Sequence, residues 1–145
     1  MITIDTLTDA DRDAWGRLAA GYKRFYNTPT TAAEYDEAWR RLRTGDGVQA
    51  FGARLDGQLV GIVHFLFHTG TWTRTQCYLQ DLYTDEACRG RGVARALIGR
   101  VAQAAQQAGA TRLYWLTQET NLTARALYDR VAQYKGFIRY DFPLA

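Results

Sequence analysis

Apolar and polar residues alternate along the chain with two different spacings, and the changes of spacing divide it into elements. Thr3 to Leu7 predicts a short strand. Thr8 then opens a helix, with Asp11 three residues on as in a capping box. Trp15, Leu18, Ala19, Tyr22, Phe25 and Tyr26 recur at helical spacing until Pro29 ends the run. Thr31 with Glu34 repeats the capping pattern, and Tyr35, Ala38, Trp39 and Leu42 form a second helical stripe. Both stripes suit a core face better than a ligand site. Gly45-Asp46-Gly47 breaks the period, and Val48 to Leu55 predicts a strand. Asp56-Gly57 is a tight-turn signal that folds Leu59 to His68 back upon it. A polar loop from Thr69 to Thr75, holding Trp72, leads to a third strand, Gln76 to Tyr83, completing an antiparallel meander.

The second half has a different rhythm. Val93, Leu97, Ile98, Val101, Ala102 and Ala105 make one face of a long helix ended by Gly109. Leu113 to Thr117 predicts a short strand, Ala124, Leu127, Tyr128 and Val131 another helix face, and Gly136 to Phe142 a last strand. This order gives a mixed α/β layer structure, and 145 residues suffice for a single domain, 1–145, with one core.

Composition narrows the class. No apolar run is long enough to span a bilayer, so no membrane association is expected. The first residues lack a basic segment ahead of an apolar one, so no secretory leader is expected. Two cysteines, Cys77 and Cys88, make neither a disulfide framework nor a four-ligand metal site, and they fit reduced thiols in the cytoplasm. His64 and His68, four apart on a strand with no evident carboxylate companion, do not argue for a metal. The net charge is +3, and Lys23 and Lys135 are the only lysines among eighteen basic residues. That charge is too diffuse to imply nucleic acid.

The informative segment is Arg89-Gly90-Arg91-Gly92-Val93-Ala94, between a strand end near Thr84 and the long helix. A helix start offers unpaired backbone N–H groups, glycines let phosphate approach the backbone, and arginines supply forked donors. The loop therefore suits a pyrophosphate. It lacks the Gly-Lys-Ser/Thr ending of a P-loop, and Arg95 stands where a dinucleotide fingerprint needs its third glycine.

Arg-x-x-Gly-x-Ala resembles the acyl-CoA signature of the GNAT acetyltransferase superfamily. Asn121-Leu122-Thr123-Ala124-Arg125-Ala126-Leu127-Tyr128 resembles that family's Asn-x-x-Ala-x-x-Leu-Tyr segment, and Gly136-Phe137 follows as its Gly-Phe does. Tyr114 to Asn121 and Gly136 to Tyr140 are similar to the histone-and-polyamine branch. The resemblance implies a GNAT fold: a mixed, mostly antiparallel sheet of about six to seven strands, flanked by about four helices and splayed near its middle to admit acyl-CoA. It implies acetyl transfer from acetyl-CoA to a primary amine, a small polyamine-like molecule or a lysine or N-terminal amine, by direct attack in a ternary complex, without a metal. Alternatives are a non-catalytic acyl-CoA sensor on the same fold and a nucleotide- or nucleic-acid-binding domain.

Carried onto this chain, the resemblance puts the pantetheine arm against the backbone of Leu82, Tyr83 and Thr84, with the Leu82 amide facing the acetyl oxygen. The pyrophosphate falls on amides from Arg89 through Gly90, Arg91, Gly92 and Val93 to Ala94. Asn121 either holds the pantetheine amides or simply caps its helix. Tyr128 matches the tyrosine that can protonate the departing thiolate; otherwise it is a core residue. Relatives often carry a carboxylate near Gln80. Strand alternation lets only one of Gln80 and Asp81 face the amine, and Asp81, Glu119 and His64 stand as candidate bases beside a water chain. Tyr22, Phe25, Tyr26, Tyr35 and Trp72 supply aromatic surface for the acceptor. With room for only one strand after the last helix, an apolar edge at Phe137, Ile138 and Phe142 is left over, and a homodimer through the C-terminal strand is expected.

Overall fold

The computed structural model describes residues 1–145. It has the elements β1 (Ile2–Asp5), α1 (Arg12–Phe25), α2 (Ala32–Thr44), β2 (Gln49–Leu55), β3 (Gln58–His68), β4 (Gln76–Thr84), α3 (Val93–Gln107), β5 (Leu113–Tyr114) and α4 (Leu122–Val131). The strands form one five-stranded sheet in chain order. The first four are antiparallel, and β5 joins β4 in parallel.

Local chemistry fixes the ends of these elements. Asp11 accepts hydrogen bonds from the Thr8 backbone N–H (2.8 Å) and hydroxyl (3.2 Å). The same carboxylate takes both arms of Arg54 from β2, at 3.0 and 2.7 Å, tying the start of α1 to the sheet. Thr31 caps α2 by accepting from the Glu34 N–H at 3.2 Å. Asp56 and Gly57 both have positive φ, 49° and 82°, the requirement of the two-residue turn that matches strand twist.

α1 and α2 cover one face of the sheet, and α3 with α4 covers the other. Trp15, Leu18 and Ala19 are buried against Ile62, with Tyr35, Ala38, Trp39 and Leu42 packed around them. On the opposite face Val93, Leu97, Ile98 and Val101 of α3 meet Ala53, Val63, Phe65, Cys77 and Leu79. Fully buried side chains such as Leu97 and Val101 contribute roughly 1.5–3 kcal/mol each. The start of α3 sits directly on β3 at Gly61, where a Cβ would stand 2.7 Å from Val93 Cγ1. That contact sets where the glycine loop lies relative to β4.

The sheet has five strands rather than six or seven. Gly136 to Phe142 forms no ladder, and Phe137 (84 %), Ile138 (70 %) and Phe142 (86 %) stay exposed. The expected strand at Leu113 to Thr117 is only two residues long, and the last segment pairs neither with it nor with the free part of β4.

Candidate active site

Strict alternation along β4 would put Leu79 and Asp81 on one face. The register prevents this: Leu79 faces Phe65 and Asp81 faces His64, so Gln80 is left without a partner as a β-bulge. The extra residue switches the faces. Cys77 and Leu79 stay in the α3 core, whereas Asp81 and Tyr83 turn toward α1. Bulges commonly re-aim a side chain in this way, and here one delivers a carboxylate into a cavity. Gln80 itself is exposed.

The cavity, of about 160 Å³, lies between the sheet and the two N-terminal helices. Trp15, Tyr22, Lys23, Tyr35, His64 and Asp81 are among its walls. Asp81 Oδ2 lies 2.9 Å from His64 Nδ1, and the Trp15 indole N–H donates to His64 Nε2 at 3.0 Å. Burial alone would raise the Asp81 carboxyl, but the hydrogen bond from His64 and the charge of that ring when protonated, then the nearby Tyr22 hydroxyl and the charge of Lys23, hold it below its ordinary value. It is therefore a carboxylate throughout the neutral range. Burial, and then the charge and hydrogen bond of Asp81, push the Tyr22 phenol far up; burial and Asp81 raise Tyr26 as well.

The other edge of β4 is open. β5 pairs with it only at Cys77 and Tyr78. The Asp85 N–H donates across to Val60 O of β3 at 2.8 Å. Alternation then turns the N–H groups of Leu82 and Thr84 toward the edge that β5 has left. At the end of this edge Gly90 (φ 79°) and Gly92 (φ 84°) hold the left-handed turns before α3. The first intrahelical bond runs from the Ala96 N–H to Gly92 O, so Val93, Ala94 and Arg95 keep unpaired N–H groups. Nothing stands within 4 Å of a Cβ built on either glycine. The Thr84 and Thr117 hydroxyl oxygens, on β4 and just beyond β5, are buried without partners. Open backbone donors along the free edge of β4 and at the start of α3 fit an extended ligand with amide groups and a pyrophosphate at one end.

Arg89 donates to Thr84 O at 3.4 Å and lies over the Tyr83 ring. Asn121 caps α4, its Oδ1 accepting from the Ala124 N–H at 3.4 Å, which leaves its NH₂ group uncommitted. Tyr128 of α4 stacks edge-on against Trp115, 5.4 Å between ring centres. Burial, and then Tyr26, raise its phenol, which stays protonated in the neutral range.

The structure separates the other candidates. Glu119 is exposed, its backbone oxygen accepting from Arg125 at 2.8 Å. His68 pairs with the Tyr114 hydroxyl at 2.7 Å. Trp72 is 94 % exposed and Phe25 54 %, so neither belongs to the cavity, whereas Tyr22 and Tyr35 do. The link from Trp15 through His64 to Asp81 was missed, because it joins residues 49 and 17 positions apart. Thr117 was also missed, and only its orphaned hydroxyl marks it.

A carboxylate pocket on one side of a splayed strand and free helix-start amides on the other are the arrangement of an acyltransferase acting on an amine. The model of the acetyltransferase (GNAT) family matches residues 10–133, so the chain belongs to that family and is an acetyl-transferring enzyme. It is 32% identical over 139 residues to the D-amino-acid N-acetyltransferase HPA3 of Saccharomyces cerevisiae, covering 90% of this chain and 84% of that protein. It is 33% identical over 95 residues to a thialysine N-epsilon-acetyltransferase of Caenorhabditis elegans, covering 66% of this chain and 59% of the relative. Among solved structures, the ribosomal-protein-alanine N-acetyltransferase of Brucella melitensis biovar Abortus 2308 superposes with a TM-score of 0.82 over all of both chains at 25% identity. The fold of AAC(6')-Iy, solved with a CoA-linked bisubstrate analogue, matches with a TM-score of 0.86 over 100% of this chain and 99% of that one, at 15% identity. No helix is long and apolar enough to cross a membrane.

Proposed function

We propose that the chain transfers acetyl from acetyl-CoA to a small primary amine by direct attack in a ternary complex. The observation that carries this reading is the bulge at Gln80, which turns Asp81 into the cavity while leaving the opposite edge of β4 free. Amides from Arg89 to Ala94 would hold the pyrophosphate, and the Leu82 and Thr84 edge the pantetheine arm, with the Asn121 NH₂ group within the same cleft. An alkylammonium, ordinarily with a pKa near 10.4, enters charged, is met by Asp81, and first gives up one proton through water to the solvent, which frees the lone pair that attacks. The amine nitrogen bonds to the thioester carbon, the Leu82 N–H takes the developing oxyanion, and the C–S bond breaks. Bonding to carbon makes the nitrogen's remaining protons acidic, so a weak base such as Asp81, directly or through water, suffices to accept one. Tyr128 gives its proton to the departing thiolate.

The acceptors named for two relatives, D-amino acids and thialysine, are small amines of this kind, and Lys23 at the cavity wall offers a cation to a carboxylate of such a molecule. Cys77 and Cys88 are unpaired, which suits the cytoplasm. The test is release of free CoA thiol from acetyl-CoA with spermidine, lysine and D-amino acids in turn. Thiol release that tracks amine acetylation is expected; none with any amine would overturn the reading.

The same reading includes a homodimer. Tyr134, Phe137, Ile138, Tyr140 and Phe142 stand 65–87 % exposed along a segment with no ladder, and the outer edge of β5 is unpaired. A second copy supplies both missing partners at once. Light scattering during sizing should give a dimer mass, and truncation before Phe137 a monomer; a monomeric full chain at tens of micromolar would refute it.

A further inference from the structure

An indole N–H can only donate, so the nitrogen it meets must be an acceptor. Trp15 Nε1 lies 3.0 Å from His64 Nε2. A proton on Nε2 would set two donors against each other inside a packed core, where Trp15 is 1 % exposed. Nε2 is therefore bare, and the ring's single proton is on Nδ1, directed at Asp81 Oδ2 2.9 Å away. A histidine in that state gives its neighbour a hydrogen bond and no charge. An imidazolium in its place would neutralise the carboxylate and remove the attraction that brings an ammonium into the cavity.

We propose that Trp15 and His64 are positioning residues that fix Asp81: the indole N–H holds His64 in its neutral, Nδ1-protonated form, so the ring orients the carboxylate without adding a second positive charge beside it, and the pocket keeps a negative group for the incoming ammonium. His64 is then not the base, because its one lone pair is already occupied. The proposal rests on the reading of Asp81 as the residue that meets the acceptor amine. The other ionisable groups lining the cavity with His64 are Asp81 and Tyr83 from β4, Tyr22 and Lys23 from α1, and Glu34 and Tyr35 from α2. Of these, Asp81 alone hydrogen-bonds to the ring.

Trp15→Phe removes the donor and keeps an aromatic ring. It frees Nε2 to take a proton in acid, where the imidazolium would cancel Asp81. The KM for the amine should then rise about ten-fold between pH 8 and pH 6, with kcat little changed, while the wild type stays nearly flat across that range. His64→Asn can still donate from the place of Nδ1 and should keep KM within a few-fold; His64→Leu cannot and should raise it about ten-fold. The acceptor used is whichever of spermidine, lysine or a D-amino acid the wild type acetylates fastest. Independently of turnover, nitrogen NMR of the wild type at pH 7 should show His64 with a protonated Nδ1 and a bare Nε2. An imidazolium there, or a Trp15→Phe variant whose KM follows pH as the wild type does, would overturn the relay. Asp81→Asn separates the two readings. If it is impaired while the Trp15 and His64 variants behave as wild type, the relay alone fails. If Asp81→Asn itself keeps wild-type KM and kcat, the acceptor site has been misplaced. Should Trp15→Phe fail to fold, the NMR result on the wild type decides.

Discussion

The two sides of β4 are built on opposite principles. In the cavity facing α1 the polar groups have partners within the chain: Asp81 with His64, and His64 with Trp15. Along the other edge they do not. The first N–H groups of α3 are free, and Gly90 and Gly92 border open space. A group that must hold a charge at a defined place, before and during the reaction, is best fixed in advance by the fold. A surface that grips a long flexible ligand can instead leave donors unpaired and let the ligand satisfy them. The acceptor side is thus preformed, and the donor side is completed by what binds there.

The largest effect is expected at Tyr128, the proposed acid. Its ring packs on Trp115, while its hydroxyl makes no hydrogen bond within the chain that would explain its presence. Tyr128→Phe keeps the packing and deletes the acid. Steady-state kinetics should show kcat lowered by about 10²-fold, some 2.7 kcal/mol on the barrier, with acetyl-CoA affinity nearly unchanged. Wild-type turnover in this variant would return Tyr128 to the core and leave the thiolate without a side-chain acid.

The same contrast explains what could be read from the sequence. The donor side is local: Arg89 to Ala94 is one contiguous loop, its glycines are required by their positive φ, and the helix that follows shows itself by periodicity. The hairpin at Asp56-Gly57 and the caps at Thr8 and Thr31 were legible for the same reason. The acceptor side is tertiary. Asp81 faces the cavity because Gln80 bulges, and the mark of that bulge in the sequence is one change of apolar phase, from Cys77 and Leu79 to Leu82. His64 acquires its role from an indole on another element. The C-terminal segment has the composition of a strand, but composition does not fix pairing, and within the chain the segment joins no edge.

Gly92 sharpens the comparison from the donor side, with a smaller effect spread over two observables. Its φ of 84° costs a non-glycine residue about 1–2 kcal/mol, and a β-branched side chain is among the worst suited to it. No protein atom lies within 4 Å of the added Cβ, so the free protein should lose no more than that strain. Ligand binding is where the substitution should tell. Acetyl-CoA at about a hundred times its Kd stabilises a folded state by about 2.7 kcal/mol, a rise in melting temperature on the order of 10 °C for a chain of this size. In Gly92→Val the side chain occupies the space that phosphate oxygens need, and the backbone that presents the amides is displaced, so the rise should vanish. Gly57→Val provides the control. Gly57 has nearly the same φ, 82°, and equally open surroundings, but it sits in the β2–β3 turn away from the loop. It should lose similar stability and still gain the full rise with acetyl-CoA. If both variants keep the rise, the cradle is not at the start of α3; if both lose it, strain rather than phosphate contact is the cause.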